Sequence, residues 1–114
     1  MTVKLFVPKE SASGEKRVAM APAVVDRVVK LGTELSVQAG AGAGSRIPDT
    51  AFKDKGAKIV KAKATALKSA DVILHVAPPD VADIKNMKAG SILASFIYTH
   101  RNPDVVKALA EAKV

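Results

Sequence analysis

The sequence predicts an α/β fold, a mainly parallel five-stranded sheet with helices on both faces. Short apolar, β-branched runs recur along the chain, segments with apolar residues at helical spacing separate them, and glycine or proline marks most junctions. Right-handed crossovers between parallel strands then distribute the helices over both faces. With 114 residues the chain builds one domain, burying roughly two-thirds of its unfolded surface, and not two.

The first run, Val3 to Val7, stops at Pro8, which lacks the N–H that a central strand needs. After a polar loop, Pro22 opens a helix on which Val24, Val25, Val28, Val29 and Leu31 form one stripe, and Gly32 supplies the left-handed residue that ends it. Glu34 to Ala39 alternates, with Leu35, Val37 and Ala39 on one side, as a strand with one more exposed face does. Gly40 to Gly44 is a loop. Pro48 starts a short helix around Ala51 and Phe52 that ends near Gly56, Ala57 to Val60 is a brief strand, and Ala64 to Ser69 makes a turn or two of helix.

Asp71 to Val76 is the most strand-like piece, because Val72, Ile73, Leu74 and Val76 form a near-continuous apolar run expected of a strand buried on both faces. Pro78 and Pro79 end it. Asp80 is placed to cap a short helix on which Val81, Ile84 and Met87 or Lys88 share a side, and Gly90 closes that helix. Ser91 to Ile97 supplies another buried strand. Asn102 and Pro103, cap and first helical position, start a last helix presenting Val105, Val106, Leu109 and Ala110. Lys113 and Val114 read as the beginning of a further strand, so a longer protein is expected.

Hydrophobic residues make up 48% and charged residues 25%, the usage of a globular protein. The absence of cysteine excludes disulfides, thiolate metal sites and cysteine nucleophiles. No apolar stretch approaches the roughly 20 residues that span a bilayer. Lys4, Lys9 and Glu10 interrupt any signal-peptide core, which points to a cytoplasmic setting. The net charge is +7, and its excess concentrates in Lys53, Lys55, Lys58, Lys61, Lys63 and Lys68, opposed locally only by Asp54. Such a run can neutralise phosphates or meet an anionic membrane, and it can equally be a solvated face. Sequence-tolerant nucleic-acid binding adds aromatic platforms, whereas Phe6, Phe52, Phe96 and Tyr98 are the only aromatics and three fall in or just after runs expected to be buried. No nucleic-acid partner is expected.

Gly40-Ala41-Gly42-Ala43-Gly44-Ser45 follows a strand and invites a dinucleotide reading. The spacing opposes it: Ser45 stands where the fingerprint wants its third glycine, and Val60 and Lys61 stand where it wants an acid. His75 lies near the C-terminal end of the best strand, the edge at which open parallel sheets bind ligands. An imidazole there can orient a substrate or move a proton, and the plainer reading is a half-buried histidine satisfied by a neighbour. His100 follows the last strand at the same edge. No third residue has the spacing of a metal site. Arg17, in the loop from Lys9 to Ala19, carries a guanidinium fork suited to a carboxylate or phosphate, or is simply exposed.

Val3-Lys4-Leu5-Phe6-Val7-Pro8-Lys9-Glu10, then Gly14-Glu15-Lys16-Arg17-Val18-Ala19 and Pro22, resemble the opening of the family shared by the α subunit of proton-translocating NAD(P) transhydrogenase and alanine dehydrogenase. Leu31-Gly32, Gln38-Ala39-Gly40-Ala41-Gly42, Phe52, Gly56-Ala57, Ala70-Asp71-Val72-Ile73-Leu74 and Gly90-Ser91-Ile92-Leu93 continue the resemblance in order. It implies that residues 1–114 are a flavodoxin-like N-terminal subdomain, with a Rossmann NAD-binding subdomain expected after 114 and absent from this chain. The two would form a cleft, usually in a homodimer.

Within that resemblance, Arg17 matches the arginine with which alanine dehydrogenases grip their substrate. His75 stands at the position of their lysine and Tyr98 at that of their histidine, with His100 two residues late. Ser95-Phe96-Ile97-Tyr98 followed by Asn102-Pro103 is similar to the transhydrogenase version, in which an aromatic residue replaces the histidine. Both branches normally keep the lysine, so His75 departs from each.

The implied function is that of the NAD(H)-binding α subunit of an oxidoreductase, moving hydride between NAD(H) and NADP(H) in the intact enzyme with coupled proton translocation. The cofactor is NAD in the intact protein and none for this fragment, which is expected to be inactive alone. The implied partners are NADP-binding and membrane components, which would hold the subunit on the cytoplasmic side of the inner membrane. Arg17, His75, Tyr98 and His100 are the cleft-lining candidates, with no catalytic residue and no metal site assigned. An alanine-dehydrogenase-like oxidoreductase using Arg17 and a displaced His100 is one alternative. A non-enzymatic α/β module that binds anionic partners through its lysine-rich face is another.

Overall fold

A computed structural model describes residues 2–114, in which strands and helices alternate from β1 (Lys4–Val7) to the last helix. The succession is α1 (Pro22–Lys30), β2 (Glu34–Gln38), α2 (Asp49–Lys53), β3 (Lys58–Val60), α3 (Lys63–Ser69), β4 (Val72–Leu74), α4 (Val81–Ile84), β5 (Ile92–Ala94) and α5 (Pro103–Ala112). The five strands form one sheet in the order β3-β2-β1-β4-β5. Every pair is parallel, with β1 hydrogen-bonded to β2 on one side and to β4 on the other.

The expected fold class is therefore present. The strand order differs from the 2-1-3-4-5 order of flavodoxin in placing two strands, not one, beyond β1 before the chain returns across the sheet.

Direction of travel decides which face each helix takes. The chain moves outward through α1 and α2, then reverses through α3, and right-handed crossovers run in opposite directions fall on opposite faces. Val25 and Phe52 accordingly pack with Val7, Leu35 and Val37 on one face, whereas Leu67, Ile84, Val105 and Ala108 pack with Phe6 and Ile73 on the other. Alternation along β1 sends Phe6 into one layer and Val7 into the other, and both are buried. Helices thus cover β1–β3 on the α1 side and β1, β4 and β5 on the α3 side. Two quarters of the sheet have no helix over them: the α3 side of β2 and β3, and the α1 side of β4 and β5.

That second bare quarter explains where burial departs from expectation. β4 is only Val72–Leu74, and although Ile73 is buried, Val72 and Leu74 are half-buried because no helix covers their side. β5, expected to be a buried strand over Ser91 to Ile97, is an edge strand of three residues, with Ile92 62% and Phe96 63% exposed. Phe96 and Tyr98 consequently lie on the surface, while Phe6 and Phe52 are core residues.

Helix starts follow the sequence signals more closely than helix faces do. Pro22 and Pro103 occupy the first turns of α1 and α5, where the missing N–H has no helical partner to lose. Gly32 takes φ +87 and ends α1, as expected. On α5, however, Val105 and Ala108 are buried whereas Val106 and Ala110 are exposed, so the inward stripe sits one residue away from the expected one. Asp80 and Asn102 do stand at N-cap positions, but neither side chain bonds a helix N–H. Lys113 and Val114 form no strand here: Lys113 adopts φ +60 and the Val114 N–H closes α5 on the Leu109 carbonyl at 3.1 Å.

Candidate functional site

The strand order switches direction between β1 and β4, and open α/β sheets bind ligands beyond the C-terminal ends of the strands at such a point. Buried Pro8 turns the chain off β1, and Glu10 reaches back to the end of β4. Its carboxylate, 3% exposed, accepts hydrogen bonds from the Val76 N–H at 3.0 Å and the Ala77 N–H at 2.9 Å. Glu10 Oε1 also lies 3.2 Å from His75 Nδ1. The His75 ring is buried rather than half-buried, with its side chain 1% exposed. Nδ1 has a second acceptor, the Ala77 carbonyl at 3.1 Å, so the proton is assigned to Nδ1. Nε2 is buried with no hydrogen-bond partner.

Arg17 sits above this pair on the loop that Glu10 anchors. Its Nε donates to Glu15 Oε1 at 2.8 Å and its Nη2 to Oε2 at 2.9 Å, a fork already holding a carboxylate. These bonds, helped by the Arg17 backbone N–H, lower the Glu15 carboxyl from 4.5 to about 2. The same contact raises Arg17, with smaller support from Tyr98 and Glu10.

Because the folded carboxyl titrates below its ordinary value, the interaction is complete above pH 4.5 and is lost as pH falls towards about 2. The pair lies at the surface, so the useful readout is local rather than a stability change. An NMR titration following the Glu15 carboxyl carbon is expected to show a midpoint near 2, returning towards 4.5 in Arg17→Ala. A wild-type midpoint at 4.5 would rule the fork out in solution.

Tyr98 adopts φ +52, a left-handed conformation unusual for an aromatic residue. Asn102 holds that turn: its Nδ2 donates to the Ile97 carbonyl at 2.8 Å and the Tyr98 carbonyl at 3.2 Å instead of capping α5. The Tyr98 ring stacks on Phe96 with centroids 6.2 Å apart, and the Arg101 guanidinium lies 4.7 Å from its centroid. His100 is exposed on the same turn and makes no side-chain hydrogen bond or ion pair among the described residues. Between Val18 of the Arg17 loop and Leu74, Val76 and Phe96 of the sheet lies an open cleft of about 420 Å³. All four predicted residues therefore meet at one sheet edge, with His75 beneath the surface and Arg17, Tyr98 and His100 on it.

The glycine loop does not fit a dinucleotide. A Cβ on Gly42 would stand 2.7 Å from the Ile47 carbonyl oxygen and 2.9 Å from the Phe52 ring, and one on Gly44 would stand 2.8 Å from the Lys16 carbonyl oxygen. These glycines admit the chain's own backbone and core, leaving no approach for a pyrophosphate. The Gly40 N–H is already taken by Asp49 Oδ1 at 2.9 Å. Nor do the lysines form one patch. Lys58 pairs with Glu34 at 3.2 Å, and Lys63 pairs with Asp83 at 2.8 Å across α3 and α4. Among the described residues there is no group of three metal-ligating side chains and no helix long and apolar enough to cross a membrane.

Glu10 is the residue that sequence reasoning missed. An acid two positions after the proline that ends a central strand was the available signal, since it falls at the mouth of the sheet.

Residues 6–114 match the family described as Alanine dehydrogenase/PNT, N-terminal domain. The chain belongs to this family. The first of the polypeptides that make up NAD(P) transhydrogenase subunit alpha in Rhodospirillum rubrum is 38% identical over 117 residues, covering 98% of this chain and 30% of that relative. Alanine dehydrogenase of Mycobacterium tuberculosis is 34% identical over 110 residues, covering 96% and 30%. Among solved structures, transhydrogenase from Sinorhizobium meliloti superposes with a TM-score of 0.90 at 35% identity, covering 96% of this chain and 32% of that one. As an alanine dehydrogenase/PNT N-terminal domain, the chain spans about 30% of the length of these curated relatives. Transhydrogenase and alanine dehydrogenase relatives share its fold, so the choice between their chemistries rests on the residues at the sheet edge.

Proposed function

We propose that this chain serves as the N-terminal subdomain of a transhydrogenase α subunit, an NAD(H)-handling oxidoreductase, rather than of an alanine dehydrogenase. The observation that carries this reading is the state of the three positions with which an alanine dehydrogenase would hold its substrate. Arg17 is engaged by Glu15, His75 is buried on Glu10 where a lysine would extend, and Tyr98 stands between Phe96 and Arg101 where a histidine would be. No ammonium group takes the lysine's place to grip an amino-acid carboxylate.

In this reading the sheet edge is one wall of a cleft. Phe96 and Tyr98 offer an aromatic ledge, and the Glu10 latch fixes the loop above it. The nucleotide pocket belongs to a neighbouring Rossmann unit, because the glycine loop here is closed by its own chain. NAD bound there supplies the hydride chemistry, while this subdomain contributes shape and charge. Partner components would hold NADP(H) and conduct protons, and a homodimer is the expected assembly.

The test is hydride transfer from NADH to an NADP analogue by the intact α subunit recombined with its NADP-binding partner. Transfer is expected, with no alanine-dependent reduction of NAD. Alanine-dependent reduction would overturn the reading. Calorimetric titration of the 114-residue chain with NADH is expected to show no micromolar binding.

A further inference from the structure

The bare quarter on the α3 side of β2 and β3 holds the largest cavity of the described residues, a groove of about 510 Å³. Phe6, Ser36 and Val60 lie along its floor, and Ala62, Thr65, Ala66 and Ser69 line one wall. Lys4, Lys58 and Lys61 stand at its rim. We propose that this groove is the docking site for an acidic amphipathic helix supplied by a partner protein.

Shape selects a helix. Two adjacent strands span about 10 Å, the diameter of one helix with its side chains. The wall residues recur at the spacing of a single helical face and are all small, so a second helix can approach α3 closely. Elsewhere in the sheet that position is filled by the chain's own helices, and only the reversal at α3 leaves it open here.

Charge selects an acidic partner. Glu34, the carboxylate in the groove, is already engaged by Lys58 at 3.2 Å. The Lys4 and Lys61 ammonium groups have no carboxylate within 4.0 Å among the described residues. A second copy of this chain fits poorly, since each brings a net charge of +7. The floor also opposes a purely apolar occupant, because Ser36 and the Lys58–Glu34 pair need polar contacts.

The probe is a fluorescent helical peptide of glutamate, alanine and leucine with its glutamates on one face, compared with the same peptide carrying lysine for glutamate. Anisotropy is expected to show micromolar binding of the acidic peptide only, weakening as salt rises. Lys58→Glu combined with Lys61→Glu, and separately Thr65→Trp to fill the groove, should each weaken binding at least about tenfold, a loss of about 1.4 kcal/mol. Lys107→Glu on α5 should leave it unchanged. Circular dichroism checks that each variant folds. Absence of acidic-peptide binding, equal binding of the two peptides, insensitivity to Thr65→Trp, displacement by decanoate, or self-association through these residues would overturn the proposal. It does not depend on the enzymatic reading above.

Discussion

Replacing Glu10 by alanine is expected to lower stability by about 3–4 kcal/mol, the largest loss from any single polar side chain in this fold. Two backbone N–H groups, of Val76 and Ala77, point at its carboxylate, and His75 Nδ1 shares it. The site is closed to water, with side chains 3% and 1% exposed, so alanine would leave the two amides without partners. Glu10→Gln keeps the volume but turns an NH2 group towards one of those donors, and about 2 kcal/mol should still be lost. Urea denaturation gives the totals. Faster hydrogen exchange at Val76 and Ala77 in both variants shows that the loss originates at the switch point. Stability within about 0.5 kcal/mol of wild type for Glu10→Ala would mean that the carboxylate is not holding β1 and β4 together.

This latch is tertiary, which is why it was invisible in the sequence. Glu10 and Val76 are 66 residues apart, and only the crossover through β2 and β3 returns the chain to bring them together. His75 could be singled out because its strand is easily recognised, yet its neighbour could not be named from spacing. Arg17 was recognised as a fork, but its partner Glu15 is two residues away and occupies it locally. Tyr98 was readable as an aromatic at a telling position. Its left-handed backbone was not, since that depends on Asn102 bonding backward into the turn rather than forward into α5.

The fold was more legible than the burial. Prolines and glycines act within one turn of chain, so Pro22, Gly32 and Pro103 marked true boundaries. An apolar run, by contrast, states only that something should cover it. Ile92 and Phe96 satisfy the pattern of a buried strand and are nevertheless exposed, because β5 is an edge and no helix lies on the α1 side there. The two bare quarters are opposite in character. The one beside the cleft is apolar, with Leu74, Val76 and Phe96, while the one beneath α3 is rimmed by lysines. Two different neighbours suit these surfaces, which is the division that the proposed cleft and the proposed helix dock require.

Gly42→Ala should cost about 3 kcal/mol and lower Tm by roughly 10–20 °C. Gly42 has φ −89, an ordinary value for any residue, so the cost comes entirely from collision. The Ile47 backbone, 2.7 Å from the added Cβ, cannot retreat easily because its N–H is bonded to the Gly42 carbonyl at 2.9 Å. The Phe52 ring, 2.9 Å away, is 0% exposed and has no empty space behind it. Gly14→Ala provides the contrast: its φ of +78 carries a strain of about 1 kcal/mol, but nothing lies within 4 Å of the added carbon. A glycine reserved for a phosphate would behave the other way, leaving Tm unchanged and affecting only a ligand. If Gly42→Ala melts within a few degrees of wild type, the close-packed account of the loop fails. Combining it with Phe52→Leu separates collision from general weakening, since relief of the overlap should make the double variant lose less than the sum of the singles.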